Sequence, residues 1–486
     1  MDHDHEVDVV VAGFGGAGLA AAVTAQRMGA SVLVVEKQAQ GQHTPSTMMS
    51  GGIVMAVNDA ERATDYLDHC AGGMVPRDVS AAWAARATGV IDWLHGLDPT
   101  LDLRRIGSAE HPRIAGASAI DTYQPGGAVR RLDPAGKAGK FLFDKLSAAA
   151  LGLGVRVLWN SPADRLIRSP DGPVTGLVTA NGLRIKARKG VILGSGGYLH
   201  NADMKRDYLK AWPVYFYGNP GNTGDGVRMA QEVGADLWHM NQMIGRAIGN
   251  FPMDDGSDLS VMLFLNPPGY VITDRYGKRF ADESTQANLL HGFYYHLLAY
   301  DPDRGIYPRN PCYWIFDETR RKAAMLTLPA VGAHAVGLYT WSDDNLAEIE
   351  RGWIAKGATV AEACAKAGME DPAEAEATVA AYNQSCATGA PDPFGRPAET
   401  MVPVNAGPFY CVRLYPGGSN TTGGPRRDRH GQVLDTRGRP IPGLYAAGEL
   451  GQATGMQYPA DGSNLSEAFC FGQIAAESAL SARNDA

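Results

Sequence analysis

The N-terminal residues Val7-Asp8-Val9-Val10-Val11-Ala12 run straight into Gly13-Phe14-Gly15-Gly16-Ala17-Gly18, and an Ala/Leu-rich helical segment then leads to Val32-Leu33-Val34-Val35-Glu36. This order of strand, glycine turn, helix, strand and acid predicts a βαβ unit that opens a parallel sheet. Gly13 permits a tight turn, Gly15 lets backbone approach a pyrophosphate, and Gly18 lets the helix lie close to the strand. Gly16 and Ala17 complete the first turn, whose N–H groups face phosphates. Glu36 follows Gly18 by about 20 residues, the spacing of a ribose-binding acid. A lone glycine motif is weak, but flanking strands and an acid make it a dinucleotide site. An acid rather than an arginine at this point fits an unphosphorylated 2′-hydroxyl, which FAD and NAD share.

Two later segments, Gly190-Val191-Ile192-Leu193-Gly194-Ser195-Gly196-Gly197 and Ile441-Pro442-Gly443-Leu444-Tyr445-Ala446-Ala447-Gly448-Glu449, again join a strand to glycines. Both resemble turns that pack along FAD, and with the first turn they favour FAD over NAD. Only one glycine fingerprint opens a full βαβ unit, so no separate NAD(P)H domain is expected. The formal charge of −8, without a long basic run, argues against nucleic acid or an anionic membrane as partner. No apolar stretch approaches the ~18 residues of a membrane span. The first strand begins so soon after Met1 that no cleavable leader fits, and a cytoplasmic address is expected. Six scattered cysteines form no CxxC pair and read as buried apolar residues. His291 and His296 do not share a helical face, and no acid cluster supports a metal.

Together with Ser50-Gly51-Gly52, Gly221-Asn222-Thr223-Gly224-Asp225-Gly226 and Asp274-Arg275-Tyr276-Gly277-Lys278-Arg279-Phe280, these pieces occur in the order found in a known group. Along nearly its whole length the chain resembles the fumarate reductase and 3-ketosteroid dehydrogenase superfamily of flavoproteins. That resemblance implies an α/β fold: a Rossmann-like FAD-binding domain with a central parallel sheet, interrupted by an inserted α+β cap over the substrate. The boundaries expected are 1–238 for the first part of the FAD domain, 239–399 for the cap and 400–486 for the return. It also implies FAD contacts at Lys37, Ser50, Gly51, Gly52, Ala163, Gly196, Gly197 and Asp225, and at Glu449, which would hold a ribityl or ribose hydroxyl. Asn464-Leu465-Ser466 opens an apolar helix that, in the resembled fold, aims its positive end at the flavin pyrimidine. His43 is a candidate for a covalent flavin link, but noncovalent FAD is usual in the resembled ketone dehydrogenases and is expected here.

The substrate clues discriminate within the superfamily. Ser419 and Asn420 replace the paired histidines of fumarate reductases, and Glu283 is followed by Ser284-Thr285-Gln286 where an arginine proton donor is usual. A dicarboxylate would enter the cleft without its charge partners, a costly transfer, so succinate and fumarate are disfavoured. Tyr458-Pro459-Ala460-Asp461-Gly462 instead resembles the Tyr-Pro-x-x-Gly of 3-ketosteroid dehydrogenases, which implies that Tyr458 and the Gly462 N–H polarise a substrate ketone. A base then takes the α-proton and the β-hydrogen leaves as hydride to FAD, giving a conjugated enone. The tyrosine base of that group aligns near Ala287, so direct transfer fails, and Tyr294, Tyr295 and Tyr123 are the candidates. The substrate is expected to be a 3-oxosteroid or a smaller ring such as an oxocyclohexanecarboxylate, for which Arg113, Ser419 and Asn420 are candidate contacts. The electron acceptor is external, a quinone, oxygen or another oxidant. Reduction of an enone or enoate by the same donors is the rival reaction, and a flavin-binding protein without turnover the rival class.

Overall fold

An unbroken apolar run suits a strand buried on both faces, and Val7 to Ala12 fills that role. The computed structural model describes residues 3–126, 138–170, 172–287, 291–327 and 338–481. Strand β1 (His5–Ala12) lies inside an eight-stranded sheet, flanked in parallel by β2 (Val32–Val35) and by Arg184–Leu193. Arg156–Leu158 extends the parallel sheet beyond β2, and Pro440–Ala446 extends it beyond Arg184–Leu193. Ala163–Arg168 and Val174–Thr179 then form an antiparallel meander against Arg184–Leu193.

Helix α1 (Gly16–Arg27) packs against the C-terminal helix Ser463–Ser481, both with small residues in the contact. A Cβ on Gly472 would stand 2.5 Å from the Ala17 carbonyl oxygen, so glycine is needed for this approach. The C-terminal helix is buried on nearly all sides, its apolar residues mixed with buried Ser463, Ser466, Glu467 and Gln473.

A second, seven-stranded sheet carries the smaller layer. Its spine is Phe409–Thr421, which pairs antiparallel with Met243–Pro252, Cys312–Asp317 and Ala355–Gly357 and in parallel with Tyr215–Phe216. Two of its strands thus lie outside the 239–399 span expected for the cap, because the longest strand of the layer comes from the returning chain. Its buried ion network joins Arg279 to Glu283 at 2.6 Å and to Asp392, with Arg396 3.3 Å from Glu283. The six cysteines are free thiols, five of them buried. No described helix is long and apolar enough to cross a membrane.

The segment after Pro440–Ala446 is fixed by buried charges. Arg427 pairs with Glu467 on the C-terminal helix and donates to the carbonyls of Gly451 at 2.8 Å and Ala446 at 3.0 Å. Glu449 accepts from the Gly197 N–H at 3.3 Å and from Asn222 Nδ2 at 2.6 Å. It is partly exposed to a cavity that it lines, and burial of its carboxyl within the protein pushes the pKa up to about 7.

Two consequences are measurable. Arg427→Met leaves Glu467 buried without its counter-charge and is expected to cost about 3–5 kcal/mol in chemical denaturation. For Glu449 the folded-state pKa lies above the ordinary 4.5, so the folded state holds a proton that the unfolded chain releases. That contribution is complete below the ordinary pKa and is lost as pH rises through about 7. In urea titrations of the cofactor-free protein, Glu449→Gln should therefore gain stability relative to wild type between pH 5 and pH 8; a pH-independent difference would contradict this burial.

Candidate active site

The glycine turn after β1 is built by steric necessity. Gly13 has φ +98° and a Cβ there would stand 2.7 Å from the Gly194 carbonyl oxygen, while one on Gly18 would stand 1.9 Å from that of Gly13. Gly15 differs: a Cβ there would meet only Pro45, at 3.7 Å. No close protein contact requires glycine at Gly15, and the space beside it belongs to a large cavity that Gly13, Gly15, Gly16 and Ala17 line. The N-terminus of α1 has no side-chain cap there, apart from Thr47 Oγ1 accepting from the Gly16 N–H at 2.9 Å. An uncapped helix start opening on a cavity is suited to an anion.

Glu36 lines the same cavity and accepts from the N–H groups of Phe14 and Gln38, both at 2.9 Å. Burial alone would raise its pKa, but hydrogen bonds and charge from His43 and those backbone donors outweigh it and hold the carboxyl below its ordinary value. His43 Nε2 is 3.4 Å from Glu36 within a ring cluster of Phe14, Phe143 and Trp159. His43 thus lies against Glu36 on the wall of the same cavity.

Lys37 pairs with Asp225 at 2.7 Å, and both line the cavity with Ser50, Gly51, Ala163, Gly196 and Glu449. Gly52, Gly197 and Gly18 stand one layer behind: Gly52, at φ +63°, is pressed on Ala138, and Gly197 donates to Glu449. Asn464 and Leu465 reach the cavity at the start of the C-terminal helix, whereas Ser466 turns away and accepts from Trp83 Nε1 at 3.1 Å. Three glycine-bearing turns, two acids and two helix starts on one cavity fit an FAD.

Beyond these turns the cavity is lined by Tyr217, Ile244, Arg246, Met262, His291, Ser419, Asn420, Tyr458, Asp461 and Gly462. The Tyr458 hydroxyl accepts from the Asn464 N–H at 3.2 Å, and its ring meets the edge of His291 at 4.4 Å. Burial pushes the phenol up, so the hydroxyl stays protonated and free to donate. Gly462 has φ +85°, and a Cβ would stand 2.6 Å from Ile53. Asn420 Oδ1 accepts from Asn464 Nδ2 at 2.8 Å and from Ser419 at 2.7 Å, a network that orients the helix start.

The other candidates lie elsewhere. Tyr294 is buried against Gly245 in the core behind the sheet. Tyr295 donates to the Met456 carbonyl, Tyr123 pairs with Val54 in a small sheet, and Arg113 is exposed on a turn. None of the four is among the cavity-lining residues. Their side chains carry suitable chemistry, but their neighbours place them in packing or solvent.

In their stead stands a chain of polar groups that sequence reasoning missed. Glu110 Oε2 meets His291 Nδ1 at 2.9 Å, and Arg246 Nη2 donates to His291 Nε2 at 2.8 Å. Burial lowers the His291 pKa and Arg246 lowers it further, so the ring is neutral with its proton on Nδ1. Burial would raise Glu110, but His291 and Arg246 hold it below the ordinary carboxylate value. Arg246 had one visible signal, a charge within the apolar strand Met243–Pro252.

A family model described as FAD binding domain matches residues 8–465. The 4-oxocyclohexanecarboxylate 2-dehydrogenase of Sinomonas cyclohexanicum is 28% identical over 96% of this chain and 92% of its own length. Urocanate reductase of Eggerthella lenta is 30% identical over 98% of this chain and 74% of its own. The crystal structure of 3-ketosteroid Δ1-dehydrogenase from Sterolibacterium denitrificans superposes with a TM-score of 0.82, at 23% identity, over 98% of this chain and all of that one. With cavity and family model in agreement, the chain belongs to the FAD binding domain family of flavoprotein oxidoreductases.

Proposed function

We propose that this flavoprotein desaturates a cyclic ketone, introducing a carbon–carbon double bond next to the carbonyl. The observation that carries the reading is that Tyr458 and Gly462 line the same cavity as the glycine turns. Two relatives act on ring ketones by name, the 4-oxocyclohexanecarboxylate 2-dehydrogenase and the 3-oxosteroid 1-dehydrogenase of Mycolicibacterium smegmatis.

Tyr458 accepts from the Asn464 backbone and directs its own proton to the ketone oxygen, where negative charge grows as the α-carbon is deprotonated. Gly462 brings backbone to the same oxygen, its missing side chain required by Ile53. Asp461 takes the α-proton: it lines the cavity beside Gly462 and accepts no hydrogen bond among the described residues. His291 is less suited, because Arg246 occupies its only lone pair. When bound along the glycine turns, FAD would supply the two-electron oxidant for the β-hydrogen, with an external acceptor for the electrons.

Anaerobic mixing with a panel of cyclic ketones should bleach the oxidised flavin absorbance. Tyr458→Phe should slow that reduction about 10²–10³-fold with FAD retained. Asp461→Asn should slow it about 10²–10⁴-fold with substrate affinity little changed. The reading fails if no ketone bleaches the flavin, or if Tyr458→Phe reduces at the wild-type rate.

A further inference from the structure

Among the described residues five arginines are buried: Arg246, Arg320, Arg321, Arg396 and Arg427. Four of them satisfy all three guanidinium nitrogens within the protein. Arg320 donates to the carbonyls of Leu265, Ala324, Phe264 and Asn266, and Arg321 to Glu318 and the Asp344 carbonyl. Arg396 binds Thr400, Tyr270 and Glu283, and Arg427 binds Glu467 and two carbonyls. Arg246 is the exception. At 5% exposure it makes one hydrogen bond, to His291, while Nε and Nη1 have no partner. Among the described residues its guanidinium makes no ion pair, while Glu110, which is paired with His291, feels its charge.

A buried cation left unsatisfied is costly, and native proteins keep few such groups without a use. Arg246 is also the only one of the five that lines the cavity holding Tyr458 and Gly462. We infer that Arg246 anchors a carboxylate carried by the substrate ring, so that the substrate is a cyclic ketone acid and not a neutral steroid. This rests on the ketone reading above and names its substrate class. His291 holds the guanidinium in place, and Glu110 fixes the imidazole tautomer so that its lone pair, not a proton, faces the arginine. Tyr217, Ile244 and Met262 supply the apolar wall for the ring.

The test is binding to the oxidised holoenzyme, read from perturbation of the flavin absorbance. Cyclohexanecarboxylate, which has no ketone to oxidise, is the probe, and cyclohexanecarboxamide is its neutral counterpart. Wild type should bind the carboxylate far more tightly than the amide. Arg246→Met should raise the carboxylate Kd about 30-fold or more and leave the amide unchanged. Arg246→Lys, which keeps the charge and supplies a second folded variant, should retain a weakened preference for the carboxylate. Equal affinity for both probes in wild type, an unchanged carboxylate Kd in Arg246→Met, or FAD loss in both variants would each overturn the assignment. Because the probe cannot be oxidised, selective carboxylate binding without flavin bleaching by any ketone would sink the desaturase reading alone. Bleaching by neutral ketones that is indifferent to Arg246 would sink the anchor alone.

Discussion

Close approach of backbone to backbone is the constraint on which the site depends. The carbonyl of Gly13 faces Gly18, that of Gly194 faces Gly13, and that of Ala17 faces Gly472, each at a distance no side chain survives. These contacts pull α1 down onto the parallel sheet and the C-terminal helix down onto α1. Two helix starts are thereby brought to one cavity, each with N–H groups that the helix itself cannot satisfy. The geometry is set by what is missing, and the apolar mass around it supplies the stability.

Charge is then distributed in two different ways. In the supporting structure, Arg427 with Glu467 and Arg279 with Glu283 and Asp392 form closed sets of partners that hold segments in register. In the cavity the sets stay open: among the described residues Asp461 accepts no hydrogen bond and Arg246 has two idle nitrogens. Open sets inside a protein are destabilising unless a ligand completes them. The same contrast separates residues that build the fold from residues that await a ligand.

The sequence made the cofactor half legible because its signals are local. A glycine turn between an apolar strand and a helix, with an acid at the end of the next strand, leaves few other structures for Gly13, Gly15 and Glu36 to adopt. The C-terminal helix beginning near Asn464 and the approach of Tyr458 and Gly462 to the cavity were also readable, since they sit within one short motif. The substrate half depends on long-range placement. Arg246, His291 and Glu110 come from three distant segments and meet only through the folding of the second layer. Tyr294 and Arg113 carried plausible chemistry, but the fold packs one against Gly245 and sets the other in solvent. A side chain's type can be read from a sequence, whereas the direction in which it points is decided by neighbours far along the chain.

Replacing a tyrosine base by a carboxylate changes what the rest of the site must supply. A buried phenol is driven further from ionisation, as Tyr217 and Tyr458 both show, so a tyrosine base needs a cation beside it. A carboxylate base such as that proposed for Asp461 makes no such demand, and the cation is released for another task. Arg246, held by a neutral histidine and facing the same cavity, is then free to meet a negative charge on the substrate. In the proposed reaction, proton removal and substrate anchoring are thus linked through electrostatics: with Asp461 as the proposed base, the arginine is available for the proposed anchoring.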